Sequence, residues 1–140
     1  MNYLLDTCVL SEYTRPKPNR AVIQWVDGIA EEKLFISVVT IGEIQHGIQR
    51  LPNSKRKTTL LVWMNDAITK RFANRMFPLD VEIMLRWGSL SAELENSGHP
   101  MPIMDTLIAA TGLVNNLVLV TRNVTDFQYC GVQMINPWDI

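Results

Sequence analysis

Two rhythms of apolar residues alternate along this 140-residue chain. Short apolar runs at Asn2–Leu5, Leu34–Val39, Met76–Leu79, Leu117–Val120 and Val132–Ile135 have the length of buried strands, and several are β-branched. Between them, apolar residues return every three or four positions, as on one face of a helix. Val22, Trp25, Val26 and Ile29 do so within Arg20–Glu31, and Ile41, Ile44, Ile48 and Leu51 within Thr40–Leu51. Leu60, Trp63, Met64 and Ile68 form the stripe of a long segment from Ser54 to Arg75. Asp80–Glu95 reads as another helix, closed by Asn96, Ser97 and Gly98, and Pro102 opens one that reaches about Val114. The polar stretch after Asp6, with Pro16 and Pro18, reads as a loop, and Pro52-Asn53 as a break. Strands alternating with helices predict an α/β fold, a parallel sheet covered on both faces.

Composition narrows this to one domain over residues 1–140. Hydrophobic residues make up 47% of the chain and charged residues 19%, the balance of a chain that builds a core. There is no internal repeat. The amino terminus carries an acid at position 6 and no basic leader before a long apolar run, so a cytoplasmic protein without a membrane span is expected. Cys8 and Cys130 have no metal-binding spacing and read as structural thiols.

The net charge of -1 conceals a basic run, Lys55-Arg56-Lys57, followed on the same segment by Lys70, Arg71 and Arg75. Such a run is either a solvated helix face or a surface for the phosphate backbone of a nucleic acid. If the helix begins at Ser54, three cations occupy its first turn, against the helix dipole, which favours an external anion as their partner.

Four acids stand where strand-like segments or loops hand over to helices or turns: Asp6, Glu43, Asp105 and Asp126. Each has a purely structural explanation. Asp6 can cap a turn, Glu43 can close a capping box with Thr40, Asp105 can complement a helix dipole, and Asn123 and Asp126 can form a turn. Jointly they fall on separate elements at one expected end of one sheet, where side chains distant in sequence converge. Carboxylates gathered there raise one another's pKa unless a cation neutralises them, and hard oxygen donors suit Mg²⁺ or Mn²⁺ better than zinc.

The segments LLDTCVLSE (4–12), TIGEI (40–44), PIMDTLIAAT (102–111), TRNVTDF (121–127) and NPWD (136–139) resemble, in order and over the whole chain, the PIN-domain ribonucleases, in particular toxins of the VapC and FitB type. The resemblance implies a three-layer α/β/α domain with a central parallel sheet. It places metal ligands at Asp6, Glu43, Asp105 and Asp126, with Asn123 as an orienting neighbour of the last. Thr7 follows as a hydroxyl that positions water or a ligand. It further implies a Mg²⁺-dependent endoribonuclease, with Mn²⁺ able to substitute, that cuts transfer or ribosomal RNA. Its expected partners are an RNA substrate, a cognate antitoxin protein, a second copy in a homodimer, and operator DNA only through the antitoxin complex. Lys55, Arg56 and Lys57 are the candidate RNA-binding cations.

Two other functions compete. A metal-independent ribonuclease would rest on His46 and His99, which lie in unrelated contexts. A non-catalytic nucleic-acid or nucleotide-binding module would use Asp6 alone, leaving the other acids unexplained, and the chain has no glycine-rich phosphate loop.

Overall fold

Five short strands carry the architecture. In the computed structural model, which describes residues 1–140, β1 (Tyr3–Leu5), β2 (Leu34–Ser37), β3 (Met76–Phe77), β4 (Val118–Val120) and β5 (Met134–Ile135) form one parallel sheet in the order β3-β2-β1-β4-β5. Tyr3 of β1 lies beside Leu34 of β2 on one side and Val118 of β4 on the other. The helices are α1 (Thr7–Glu12), α2 (Arg20–Asp27), α3 (Val38–Gln49), α4 (Lys55–Val62), α5 (Thr69–Arg71), α6 (Val81–Asn96) and α7 (Ile103–Val114). A π-helical segment, Trp63–Ile68, joins α4 to α5, and Thr69 Oγ1 donates to the Met64 carbonyl across it at 2.8 Å.

Successive residues of a strand point to opposite faces, and that period divides the core. Leu5, Leu34, Ile36 and Val120 join Val9, Leu10, Val26, Ile44, Ile48, Met64 and Ile68 on one side of the sheet. Leu4, Leu119 and the half-buried Phe35 join Leu90, Leu94, Leu107 and Ile108, from α6 and α7, on the other. Both faces are therefore covered, as the apolar strands required. The close fit of α7 to the sheet depends on Gly112, where a Cβ would stand 3.0 Å from Val132 Cγ2. Trp25 meets Tyr3 edge-on at 5.3 Å, and Trp25 and Trp63 both pack on the core, so the apolar faces of their helices are occupied within the fold. No helix is long and apolar enough to cross a membrane.

Two local readings need correction. The stretch after Asp6 is not immediately a loop: α1 begins at Thr7, with Asp6 as its cap and Val9 and Leu10 in the core. Six residues give too little periodicity to reveal a helix in sequence. The helix expected to start at Thr40 starts at Val38, because Ser37 ends β2 and accepts the Val39 N–H at 3.0 Å. Thr40 and Glu43 therefore form no capping box, and Glu43 lies in the second turn, free for another partner.

The new start of α3 is directly testable. Ser37→Ala removes a buried cap and is expected to lower unfolding free energy by about 1 kcal/mol in urea titration. An unchanged midpoint would show that Ser37 does not hold the helix start.

Candidate active site

The chain turns from β1 towards β2 and β3 on one side and later returns to β4 and β5 on the other, so the carboxyl ends of β1 and β4 flank the point where the sheet's order reverses. Asp6 directly follows β1. Its N–H donates to the Val120 carbonyl of β4 at 3.0 Å, which locks the residue into the end of the sheet. Its Oδ1 accepts the Thr7 N–H at 2.8 Å, and its Oδ2 accepts the Thr121 hydroxyl at 2.8 Å. The side chain is 5% exposed. Burial raises its pKa above the ordinary value, although the bonds from Thr121, Thr7 and Cys8 pull the other way.

Thr7 links Asp6 to the next acid. Its hydroxyl donates to Glu43 Oε1 at 2.7 Å, while Thr40 Oγ1 stands farther off at 3.5 Å. Glu43 is also held above its ordinary pKa, first by burial and then by the charge of Asp6, against the Thr7 bond. Asp105, in the first turn of α7, is raised most clearly, to about 6. Partial burial is the largest cause, followed by the charges of Asp6, Glu43 and Asp126. All four predicted carboxylates therefore act within one electrostatic neighbourhood. None forms an ion pair with a lysine or arginine.

In chemical type, though not in closeness, these donors suit a hard divalent cation. They are carboxylate oxygens from four elements with no protein countercharge, and a cation would offset both the burial and the neighbouring charges that raise Asp105. No group of three acidic, histidine or cysteine side chains stands close enough to hold a metal ion by itself. Mg²⁺ does not require such a group, because it keeps several waters and binds through one or two carboxylates.

The PIN domain family model matches residues 3–128. The chain belongs to the PIN-domain family. Among its relatives, the VapC ribonuclease Y4jK of Sinorhizobium fredii is 32% identical over 136 residues, 97% of each chain. Toxin FitB of Neisseria gonorrhoeae is 33% identical over 135 residues, 96% of this chain and 97% of FitB. The crystal structure of FitAcB from Neisseria gonorrhoeae shares the fold with a TM-score of 0.92 at 32% identity, over 99% of both chains. FitAB bound to an IR36 DNA fragment gives the same TM-score and identity, over 99% of this chain and 96% of that one.

Within this PIN domain the remaining predicted residues are more dispersed. Asp126 is exposed in the turn after β4, where its N–H donates to the Asn123 carbonyl at 3.0 Å. Asn123 reaches the site through its backbone, its N–H donating to Thr121 Oγ1 at 3.0 Å. Lys55 is exposed, whereas Lys57 Nζ donates to the Gln49 and Leu51 carbonyls at the end of α3, and Arg56 Nη2 reaches the Thr14 carbonyl at 3.5 Å. Arg71 and Arg75 of the same basic segment are tied to Glu31 at 2.6 and 2.9 Å. Arg56 nevertheless borders a depression lined by Thr14, Leu60 and Trp63, and the same three residues line the next one, which contains Thr7 and Glu43. A continuous path therefore runs from the basic turn to the acids. His46 and His99 line different depressions and form no pair.

Sequence reading missed two residues here. Thr121 is the buried donor to Asp6, signalled only as a hydroxyl directly after the β4 run. Cys8, read as structural, lies at the site with Sγ 3.9 Å from Asp6 Oδ2 and 3.8 Å from Thr121 Oγ1. Burial and the Asp6 charge push its thiol up to about 11, so it stays protonated.

The crowding makes stability depend on pH. Because the folded pKa of Asp105 lies above its ordinary 3.8, the metal-free protein loses stability as pH rises from about 4 through about 6, and then levels off. The full rise corresponds to roughly 3 kcal/mol, which screening at a half-exposed group reduces to the order of 1 kcal/mol. Asp105→Asn is expected to flatten the slope in this window, as measured by denaturation in EDTA. A variant with the wild-type slope would show that the repulsion lies elsewhere.

Proposed function

We propose that this PIN-domain protein is a metal-dependent endoribonuclease toxin of a toxin–antitoxin pair. The observation that carries the reading is Asp105, a half-buried acid crowded by Asp6, Glu43 and Asp126 with no protein cation beside it. The naming of its relatives as a VapC ribonuclease and toxin FitB supports the same reading.

In this reading Asp6 and Asp105 are the principal ligands of Mg²⁺ or Mn²⁺, and Glu43 and Asp126 hold a second ion or position water. The bound cation would supply charge neutralisation for the phosphodiester and a lowered pKa for water beside it. The chain's own groups set the geometry. Thr121 and the Thr7 N–H fix both oxygens of Asp6, so its carboxylate cannot rotate away from the cleft. Thr7 donates a hydrogen bond to Glu43 Oε1, which leaves Oε2 to orient water or accept its proton. Asn123 closes the turn that presents Asp126. Hydrolysis then forms one bond from the water oxygen to phosphorus and breaks one to the leaving ester oxygen. The proton lost by water passes to a carboxylate or solvent, and the leaving oxygen takes one up.

Lys55 and Arg56 are the RNA-facing cations in this scheme, while Lys57 also holds the end of α3. The substrate is transfer or ribosomal RNA. The partners are an antitoxin that covers the groove, a second copy of the chain, and operator DNA reached through the antitoxin complex, as FitAB is found with a DNA fragment.

Purified protein is expected to cut RNA in Mg²⁺ or Mn²⁺ and to stop in EDTA, and Asp105→Asn to lose at least 100-fold in rate with an unchanged circular dichroism spectrum. Cleavage that survives chelation, or an undiminished Asp105→Asn, would overturn the reading. Replacing Lys55 and Arg56 together with Gln is expected to weaken RNA binding and make it less dependent on salt, because fewer counterions are released. An unchanged salt slope would return these residues to an ordinary solvated face.

A further inference from the structure

Asp105 and Asp126 open into a depression of about 450 Å³ whose opposite side the proposed chemistry does not use. Asp105 and Asp126 form one wall, and Gly98, His99, Pro100, Thr125, Gln128 and Tyr129 much of the remainder. His99 and Tyr129 are stacked, with centroids 3.7 Å apart and planes inclined by 13°. This separation is close to the roughly 3.4 Å rise between stacked bases. Neither ring is buried, and Tyr129 is 56% exposed.

Both rings are held by backbone rather than by chance. The helix α6 ends in a left-handed Gly98, with φ of +81°, whose N–H donates to the Glu95 carbonyl while that of His99 donates to the Leu94 carbonyl. This paired closure fixes the position of residue 99. On the other side, Phe127 is buried in the core, and Cys130 N–H and Sγ both donate to its carbonyl, at 3.3 and 3.0 Å. The anchored Phe127 leaves its neighbours Asp126, Gln128 and Tyr129 outside. Two segments distant in sequence thus present one aromatic platform at the edge of an acidic site.

The outer faces of the stacked rings are open to the depression, and an aromatic face is a surface on which an unpaired base can stack. We infer that this depression is a nucleobase subsite, in which an unpaired base next to the scissile phosphate extends the His99–Tyr129 stack and the Gln128 amide reads its edge. The amide offers both a donor and an acceptor, as recognition of a base edge requires. The size of the depression suits one nucleotide rather than a duplex. The inference takes its substrate from the ribonuclease reading above, but the platform itself can be tested apart from cleavage.

The test uses a short unpaired oligoribonucleotide carrying 2-aminopurine, bound in Ca²⁺ to offset the carboxylates, together with cleavage of a randomised single-stranded RNA pool in Mn²⁺. Wild type is expected to quench the 2-aminopurine fluorescence. Tyr129→Ala is expected to weaken binding by roughly 5- to 100-fold, the range found when a base-stacking aromatic is removed. Tyr129→Phe should retain it, because the ring and not the hydroxyl does the stacking. In the pool, Gln128→Ala should flatten the base preference at one position flanking the cut. Quenching that depends on Tyr129, with neither the pool nor transfer and ribosomal RNA cut in Mn²⁺, would uphold the subsite and overturn the ribonuclease reading. Equal binding by wild type and Tyr129→Ala, both showing native circular dichroism, would overturn the subsite whether or not RNA is cut.

Discussion

Like charge without a countercharge is the constraint on which the arrangement of this protein depends. Four carboxylates share one electrostatic neighbourhood at the end of the sheet, and the ion pairs of the chain are all made elsewhere. Burying Asp6 at 5% exposure is tolerable because both of its oxygens accept hydrogen bonds, from the Thr7 N–H and the Thr121 hydroxyl. Those bonds orient the carboxylate but do not neutralise it. Asp105 is less buried and has no donor of its own, and partial burial first, then the charges of Asp6, Glu43 and Asp126, move its pKa to about 6. A fold selected only for stability would place an arginine there, as the Glu31–Arg71–Arg75 cluster does on the far side of the chain.

The fold around this point was largely legible, because its information is periodic. Strands β1 to β5 fall within the five apolar runs, and the long helices α6 and α7 match the sequence boundaries closely. Errors came where a single side chain decides the matter. Ser37 captured the start of α3 from Thr40, since a cap depends on which hydroxyl the end of β2 brings to the free N–H groups. The helix α1 escaped notice because it owes its existence to Asp6 and to the core contacts of Val9 and Leu10, not to any repeating pattern.

The grouping of the acids was legible for a different reason. Asp6, Glu43 and Asp105 were recognisable by residue type and by their place after strands or at helix starts, and the family motifs put them in order. Thr121 and Cys8 were not, because their relation to Asp6 spans the pairing of β1 with β4, and no local signal records that pairing. The basic run shows the converse limit. Three adjacent cations look alike in sequence, yet Lys57 caps the end of α3, Arg56 borders the path to Glu43 and Lys55 is free.

Thermal melting of wild type and Asp105→Asn, each in EDTA and in Mn²⁺, bears most directly on the claim that Asp6 and Asp105 share one cation site. Burial and the charges of Asp6, Glu43 and Asp126 all disfavour the ionised Asp105, so removing its charge should make the metal-free variant melt above wild type at neutral pH. Mn²⁺ should raise the melting temperature of wild type and add little to that of the variant. A variant that melts below wild type in EDTA and keeps the full rise in Mn²⁺ would contradict the account, leaving Asp105 as a helix-dipole partner and no more.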